Sequence, residues 1–297
     1  MLRPVDRVLA AYNVLAGAAW LRALGSDPAA PWFLAAHLAG ALLPLGLRAI
    51  GPATPAPLRL LREAYPLLLL YPLFAEVGRL HGAIGSAGHD ALVIGWDEAL
   101  FPGGWHRAWA EAMPQRWLSE AMHGLYVSYY VLIAGPPLAA ALLRRGGAFR
   151  DISYRTMLTY TACYAVYLYF PVFGPGHADP LPPEARPEGF FPGLMHAAMA
   201  SGDAPGTAFP SSHVAGAFTA AWLGYRWFPR AVAHAQFLLA CGVMAATVYT
   251  HNHYPLDAAA GLLVAVLLQH GAAPILERAW PETNAPALRG VPARVEP

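Results

Sequence analysis

Apolar residues run in long blocks separated by short polar intervals over nearly the whole chain. Eight blocks approach the ~20 residues that carry a helix across a bilayer core: residues 7–25, 32–50, 63–80, 119–143, 152–174, 207–226, 231–250 and 255–274. The third is interrupted by Pro66, Pro72 and Glu76. The pattern predicts an all-α, polytopic membrane bundle of about eight transmembrane helices. Two polar intervals are long. Residues 81–118 contain "HDALVIGWDEALFPGGWHRAWAEAM", whose Trp105 and Trp109, with Trp117 beyond, suggest a re-entrant or interfacial amphipathic segment. Residues 175–206 are rich in Pro and Gly and suit a lid. The domain reading is therefore N-terminal helices over 1–80, a loop region over 81–118, a membrane domain over 119–274 and a disordered tail over 275–297.

Composition supports this. Of 297 residues 57% are hydrophobic and 12% charged, about half the charge of a soluble domain. The net charge is +1 with no basic arm, so nothing points to nucleic acid. Cys163 and Cys241 both lie in apolar blocks, which argues against a disulfide framework. Arg3 and Arg7 before the first block could imitate a signal peptide, but further spans follow, so a first membrane helix is the reading.

There is no lysine, and the 19 arginines test the topology. With both termini cytoplasmic, 14 arginines fall inside and five (Arg22, Arg79, Arg107, Arg116, Arg186) outside, the sign expected of the positive-inside rule. The expected location is a bacterial plasma membrane, with both long intervals facing outward.

Three polar stretches fall where this topology gathers block ends at that outward surface. "YFPVFGPGH" (169–177) closes the fifth block, "FPSSH" (209–213) opens the sixth, and "TVYTHNHYPLDAAAG" (247–261) leads from the seventh into the eighth. Pro210 suits a first helical turn. Free N–H groups of Ser211, Ser212 and His213 would then offer an anion site at the helix start, with His213 able to give a proton; an ordinary helix cap is the plainer reading. Pro255 marks another helix start with Asp257 in its first turn, within reach of His253. A carboxylate on one imidazole nitrogen leaves the other as the stronger nucleophile. A structural loop pair, or a metal held by His251, His253 and Asp257, are the other readings. Glu76 and Arg79 read as a boundary pair, and "YVSYY" (126–130) as helix packing.

P-S-x-H opening one span and H-Y-P-x-D opening another, forty residues on from His213 to His253, resembles the type 2 phosphatidic acid phosphatase superfamily, over residues 119–274. "WDEALFPGGW" (96–105) and "YFPVFGP" resemble the branch containing inositol phosphorylceramide synthases. The resemblance implies a six-helix core and a lipid phosphate as substrate. His253 would be the nucleophile forming a phosphohistidine, Asp257 its orienting partner and His213 the acid. Ser211 and Ser212 would hold phosphoryl oxygens, and neither cofactor nor metal would be needed. The superfamily's basic residues are missing: Gly176 and Thr247 stand where arginines are usual. His177, His251 and Arg186 are candidate substitutes for phosphate binding. Lipid phosphatase is the leading expectation. Phosphotransferase is the second, and a non-catalytic lipid carrier or scaffold the third.

Overall fold

A computed structural model of the chain describes residues 2–51, 53–182 and 187–280. The first spans are α1 (Pro4–Trp20), α2 (Ala30–Leu47) and the consecutive α3 (Ala56–Leu68) and α4 (Leu70–Ile84). Two short helices follow, α5 (Asp90–Leu100) and α6 (Trp105–Ala112), then the long pair α7 (Arg116–Leu142) and α8 (Gly146–Tyr169). Beyond them come α9 (Pro175–Ala178), α10 (Phe190–Gly202), α11 (Ser212–Trp227), α12 (Arg230–Tyr249), α13 (Pro255–Leu267) and α14 (Ala273–Ala279), the last two joined by a π-helical turn at Leu268–Ala272. All eight apolar blocks coincide with helices, and the described residues contain no strand.

Five segments are long and apolar enough to cross a membrane: Ala30–Leu47, Ala56–Ile84, Arg116–Leu142, Arg230–Tyr249 and Pro255–Ala279. The other three expected spans, α1, α8 and α11, are shorter or more polar, and packing explains why. Helix α8 sits at the centre, against α1, α3, α4, α7 and α11. Enclosed by protein, it need not be apolar all round, and polar side chains can join helices within the bundle. Thr159 meets Thr219 of α11 at 3.0 Å, and Gln269 of the π turn donates to both. Arg155, buried, is paired with Asp151 and Glu277 and lies over the Trp222 ring. Helix α11 presents Ala215, Gly216, Ala217, Ala220, Ala221 and Gly224 to its neighbours, the small residues that let membrane helices approach closely.

The interrupted third block is helical after all. Pro72 lies in the first turn of α4, where a missing N–H costs little. Glu76 and Arg79 are not the boundary pair expected. Arg79 reaches Asp27, whereas Glu76 turns inward to His37 Nε2 at 3.1 Å. His37 Nδ1 meets Asn13 Oδ1 at 3.0 Å, so α1, α2 and α4 share one buried polar cluster. Losing one partner of such a cluster costs about 1–3 kcal/mol. Glu76→Ala should lower stability in detergent by that amount, and adding His37→Ala should cost less than the two single losses summed, because both remove the Glu76–His37 contact although His37→Ala also gives up Asn13. Strictly additive losses would show the two groups to be uncoupled.

Among the described residues, no helix lying within the intervals 81–118 and 175–206 is long enough to cross a membrane. Helices α5 and α6 have 11 and 8 residues, about 16 and 12 Å at 1.5 Å per residue, against a ~30 Å core. Helix α10 packs along α7 with Phe190 and Leu194 exposed. The tail expected to be disordered from residue 275 is instead helical over its first residues, which close α14 and bring Glu277 to the buried Arg155; from position 281 onward it lies outside the described residues.

Candidate active site

The end of α8, the start of α11, the α12–α13 turn and α5 converge at one end of the bundle, and backbone hydrogen bonds lock them together. After α8, Val172 N–H reaches the Gly206 carbonyl and the Val172 carbonyl accepts from Ala208 N–H. The Asp90 carboxylate of α5 accepts the N–H groups of Phe173 and Gly174, and Asp97 accepts that of Leu256 at 2.8 Å. Ser211 N–H donates to the Asp257 carbonyl at 3.0 Å, tying the start of α11 directly to that of α13. This approach depends on Gly261: a Cβ there would overlap the Ser211 carbonyl oxygen and crowd Val214. Gly261→Ala should therefore destabilise by about 1–3 kcal/mol and lower any activity of the site with it. Thermal unfolding in detergent checks this, and an unchanged melting temperature would refute the close contact.

Within this frame the His213 and His253 rings lie edge to face, with centroids 5.8 Å apart. His253 Nδ1 is 3.4 Å from Asp257 Oδ2, which also accepts Tyr254 N–H at 2.9 Å. The histidine contact is long, as such bonds often are before a substrate tightens them. Asp257 is fully buried, and its Oδ1 has no hydrogen-bond partner. Both histidines line a cavity of about 760 Å³, with Ser212, His177 and His251 also on its wall.

Two of the three amides expected to be free for an anion are already engaged. Pro210 precedes α11 instead of opening it, and Ser211 is the N-cap, its hydroxyl accepting from Val214 N–H. Ser211 N–H is spent on Asp257 as above, and Ser212 N–H donates to the Tyr167 hydroxyl at 3.0 Å. Tyr167 in turn donates to the Pro210 carbonyl. Ser211 is buried beneath the cavity, whereas Ser212 reaches its surface. His177 Nε2 faces Asp203 at 3.3 Å. His251 has both nitrogens on carbonyl oxygens, of His106 (3.0 Å) and Asp179 (2.7 Å). Arg186 lies outside the described residues.

A family model described as the PAP2 superfamily matches residues 92–270, more than half of the chain. The chain belongs to the PAP2 superfamily. No curated protein matches it, and no solved structure does. The match begins within α5 and so includes "WDEALFPGGW", ahead of the residues that carry the clearest motifs. It identifies this integral membrane protein as an enzyme of the phosphatase and phosphotransferase type that handles lipid phosphate.

In this PAP2 protein Thr247 does not take over an arginine's place at the cavity. It is buried, its hydroxyl bonds the Met244 carbonyl, and its own carbonyl holds the N–H groups of Asn252 and His253. Several residues that the sequence did not single out border the PAP2 site. The Tyr126 hydroxyl is 3.1 Å from His213 Nε2, and the Tyr129 ring centroid is 4.4 Å from that of His213, so "YVSYY" supports the site as well as the packing. His123 and His196, on α7 and α10, face each other 6.3 Å apart across another part of the cavity wall. His106 and Arg107 enter from α6. Burial, with His251 and Arg107 nearby, holds the His106 ring below the usual imidazole range. Spacing could not have revealed these neighbours, since each comes from a helix remote in sequence.

Proposed function

We propose that this PAP2 protein hydrolyses a phosphate ester or pyrophosphate carried by a lipid, through a phosphohistidine at His253. The observation that carries the reading is the His213–His253 pair at 5.8 Å on one cavity, with Asp257 directly behind His253. Asp257 accepts Nδ1–H and leaves Nε2 to attack phosphorus. As the P–N bond forms, the P–O bond to the lipid breaks, and His213 gives its proton to the departing oxygen. Water then attacks phosphorus, the P–N bond breaks, His213 takes back a proton, and inorganic phosphate leaves. Acid help of this kind is worth ~10²–10⁴ in rate. Ser212 faces the same space and is placed to donate to a phosphoryl oxygen.

The outer membrane face is the proposed location. Arg3, Arg62 and Arg150 gather around Glu63 near the start of α8, whereas His213 lies toward its other end, where Tyr167 meets Pro210 and Ser212. With the arginine-rich end inside, the cavity faces out.

Transfer to an acceptor hydroxyl is the second reading, favoured by the extent of the cavity toward His123 and His196, which leaves room for an acceptor beside the phosphohistidine. The resemblance of "WDEALFPGGW" to the inositol phosphorylceramide synthase branch favours it too. The test is to offer the detergent-purified protein phosphatidic acid, an isoprenyl pyrophosphate and a phosphoinositide, each with and without chelator. Phosphate release that survives chelator supports hydrolysis without metal. Headgroup exchange without free phosphate supports transfer. Silence on all three, alike for wild type and His253→Ala, would leave a lipid carrier.

A further inference from the structure

We propose that Arg107, carried on α6, is the cation that grips the phosphoryl group in the cavity, with Asp179 as the partner it leaves when the anion arrives. This deepens the phosphatase reading and rests on it. A phosphoryl group in transfer spreads negative charge over its oxygens, and a guanidinium fork matches those oxygens in pairs. Among the described residues lining the cavity, Arg107 is the one arginine, and the chain has no lysine. The other lining groups of fixed charge there are the carboxyls of Glu111 and Asp203. Gly176, where the superfamily's cation is absent, lies on the same wall.

Helix α6 is held in place beside the α12–α13 turn that carries His253. The His106 carbonyl accepts from His251, and the His106 ring packs edge-on to Tyr254 at 4.9 Å, so contacts next to Arg107 reach both sides of His253. Trp109 packs edge-on to Tyr249 and among Val214, Val248 and Ala258. The Tyr249 hydroxyl donates to the Met113 carbonyl at 2.8 Å.

Arg107 itself is only half committed. Nη2 meets Asp179 Oδ2 at 2.6 Å, with the two side chains 39% and 54% exposed, and exposed pairs of this kind contribute little. Nε is shielded from solvent yet has no hydrogen-bond partner. A doubly charged anion with paired oxygens can therefore compete for the guanidinium. A mere brace between α6 and the Asp179 segment is the rival account, and it predicts that removing either partner acts alike.

The probe is inorganic phosphate, titrated calorimetrically into the full chain in detergent, alongside kcat/KM on the best substrate found above. Arg107→Gln should weaken phosphate binding about 10–100-fold, the scale of charge-assisted hydrogen bonds, and lower kcat/KM by about 10²–10³, with the melting temperature unchanged. Arg107→Lys should restore part of both, as a point charge without the fork. Asp179→Asn should act in the opposite sense, tightening phosphate about two- to fivefold by releasing the guanidinium. Equal phosphate affinity in wild type and Arg107→Gln overturns the proposal, as do parallel losses in Arg107→Gln and Asp179→Asn. If Arg107→Gln fails to fold, the opposed effects of Arg107→Lys and Asp179→Asn still decide. If wild type turns over no substrate, the phosphatase reading fails, while the calorimetric comparison judges Arg107 separately; a wild type that binds no phosphate overturns the grip as well.

Discussion

His253→Ala is expected to abolish phosphate release, lowering kcat by on the order of 10⁵-fold or more, as removal of a covalent nucleophile does. The imidazole is buried, with Nδ1 directed at Asp257, so no neighbouring group inherits its position. His213 lies nearby, but its Nε2 faces Tyr126, and among the described residues no carboxylate is bonded to it. The measurement is rapid-quench kinetics with substrate labelled in the transferred phosphate. Wild type should yield a phosphoenzyme that is labile in acid and stable in base, and the variant none. A variant active to within about tenfold of wild type would remove His253 from the covalent step and the phosphohistidine with it.

Asp257→Asn comes second, with an expected loss of about 10³–10⁴ in kcat, because an amide no longer fixes the tautomer that leaves the outer nitrogen free to attack. Its effect on stability should run the other way. Asp257 is fully buried and its Oδ1 lacks a partner, and a buried carboxylate with an unmatched oxygen is costly. The asparagine oxygen can still accept Tyr254 N–H, and the Ser211 tie uses the backbone carbonyl, which the substitution leaves intact. The melting temperature should therefore hold or rise while activity collapses. A steep fall in melting temperature, with activity tracking the folded fraction, would make Asp257 a structural residue only.

Each of the eight apolar blocks fell on a helix or a consecutive pair of helices that packs into the bundle, because a bilayer core demands nearly unbroken apolar length. The sequence reading counted α8 as a span like the rest and did not foresee that its tyrosines, threonines and arginine lie inside the bundle, paired with α7, α11 and the π turn. It misread Glu76 for the same reason, since His37 lies 39 positions away in sequence and 3.1 Å away in space. At the site, the motifs pointed to His213, His253 and Asp257, and the fold brings those three together. The expected amide cradle loses Ser211 and Ser212, because their N–H groups are used to fasten helices to one another.

What the sequence by itself determined was the helical class, the order of the spans and the end of the bundle where polar chemistry gathers. These depend on block length, on the side to which each loop must fall and on residues a few positions apart. Tertiary structure alone decided which donors remain free, that Tyr126 and Tyr129 flank His213, and that α6 lays Arg107 along the cavity. Those depend on contacts between distant helices, where a few tenths of an ångström separate a hydrogen bond from none, and no local pattern encodes them.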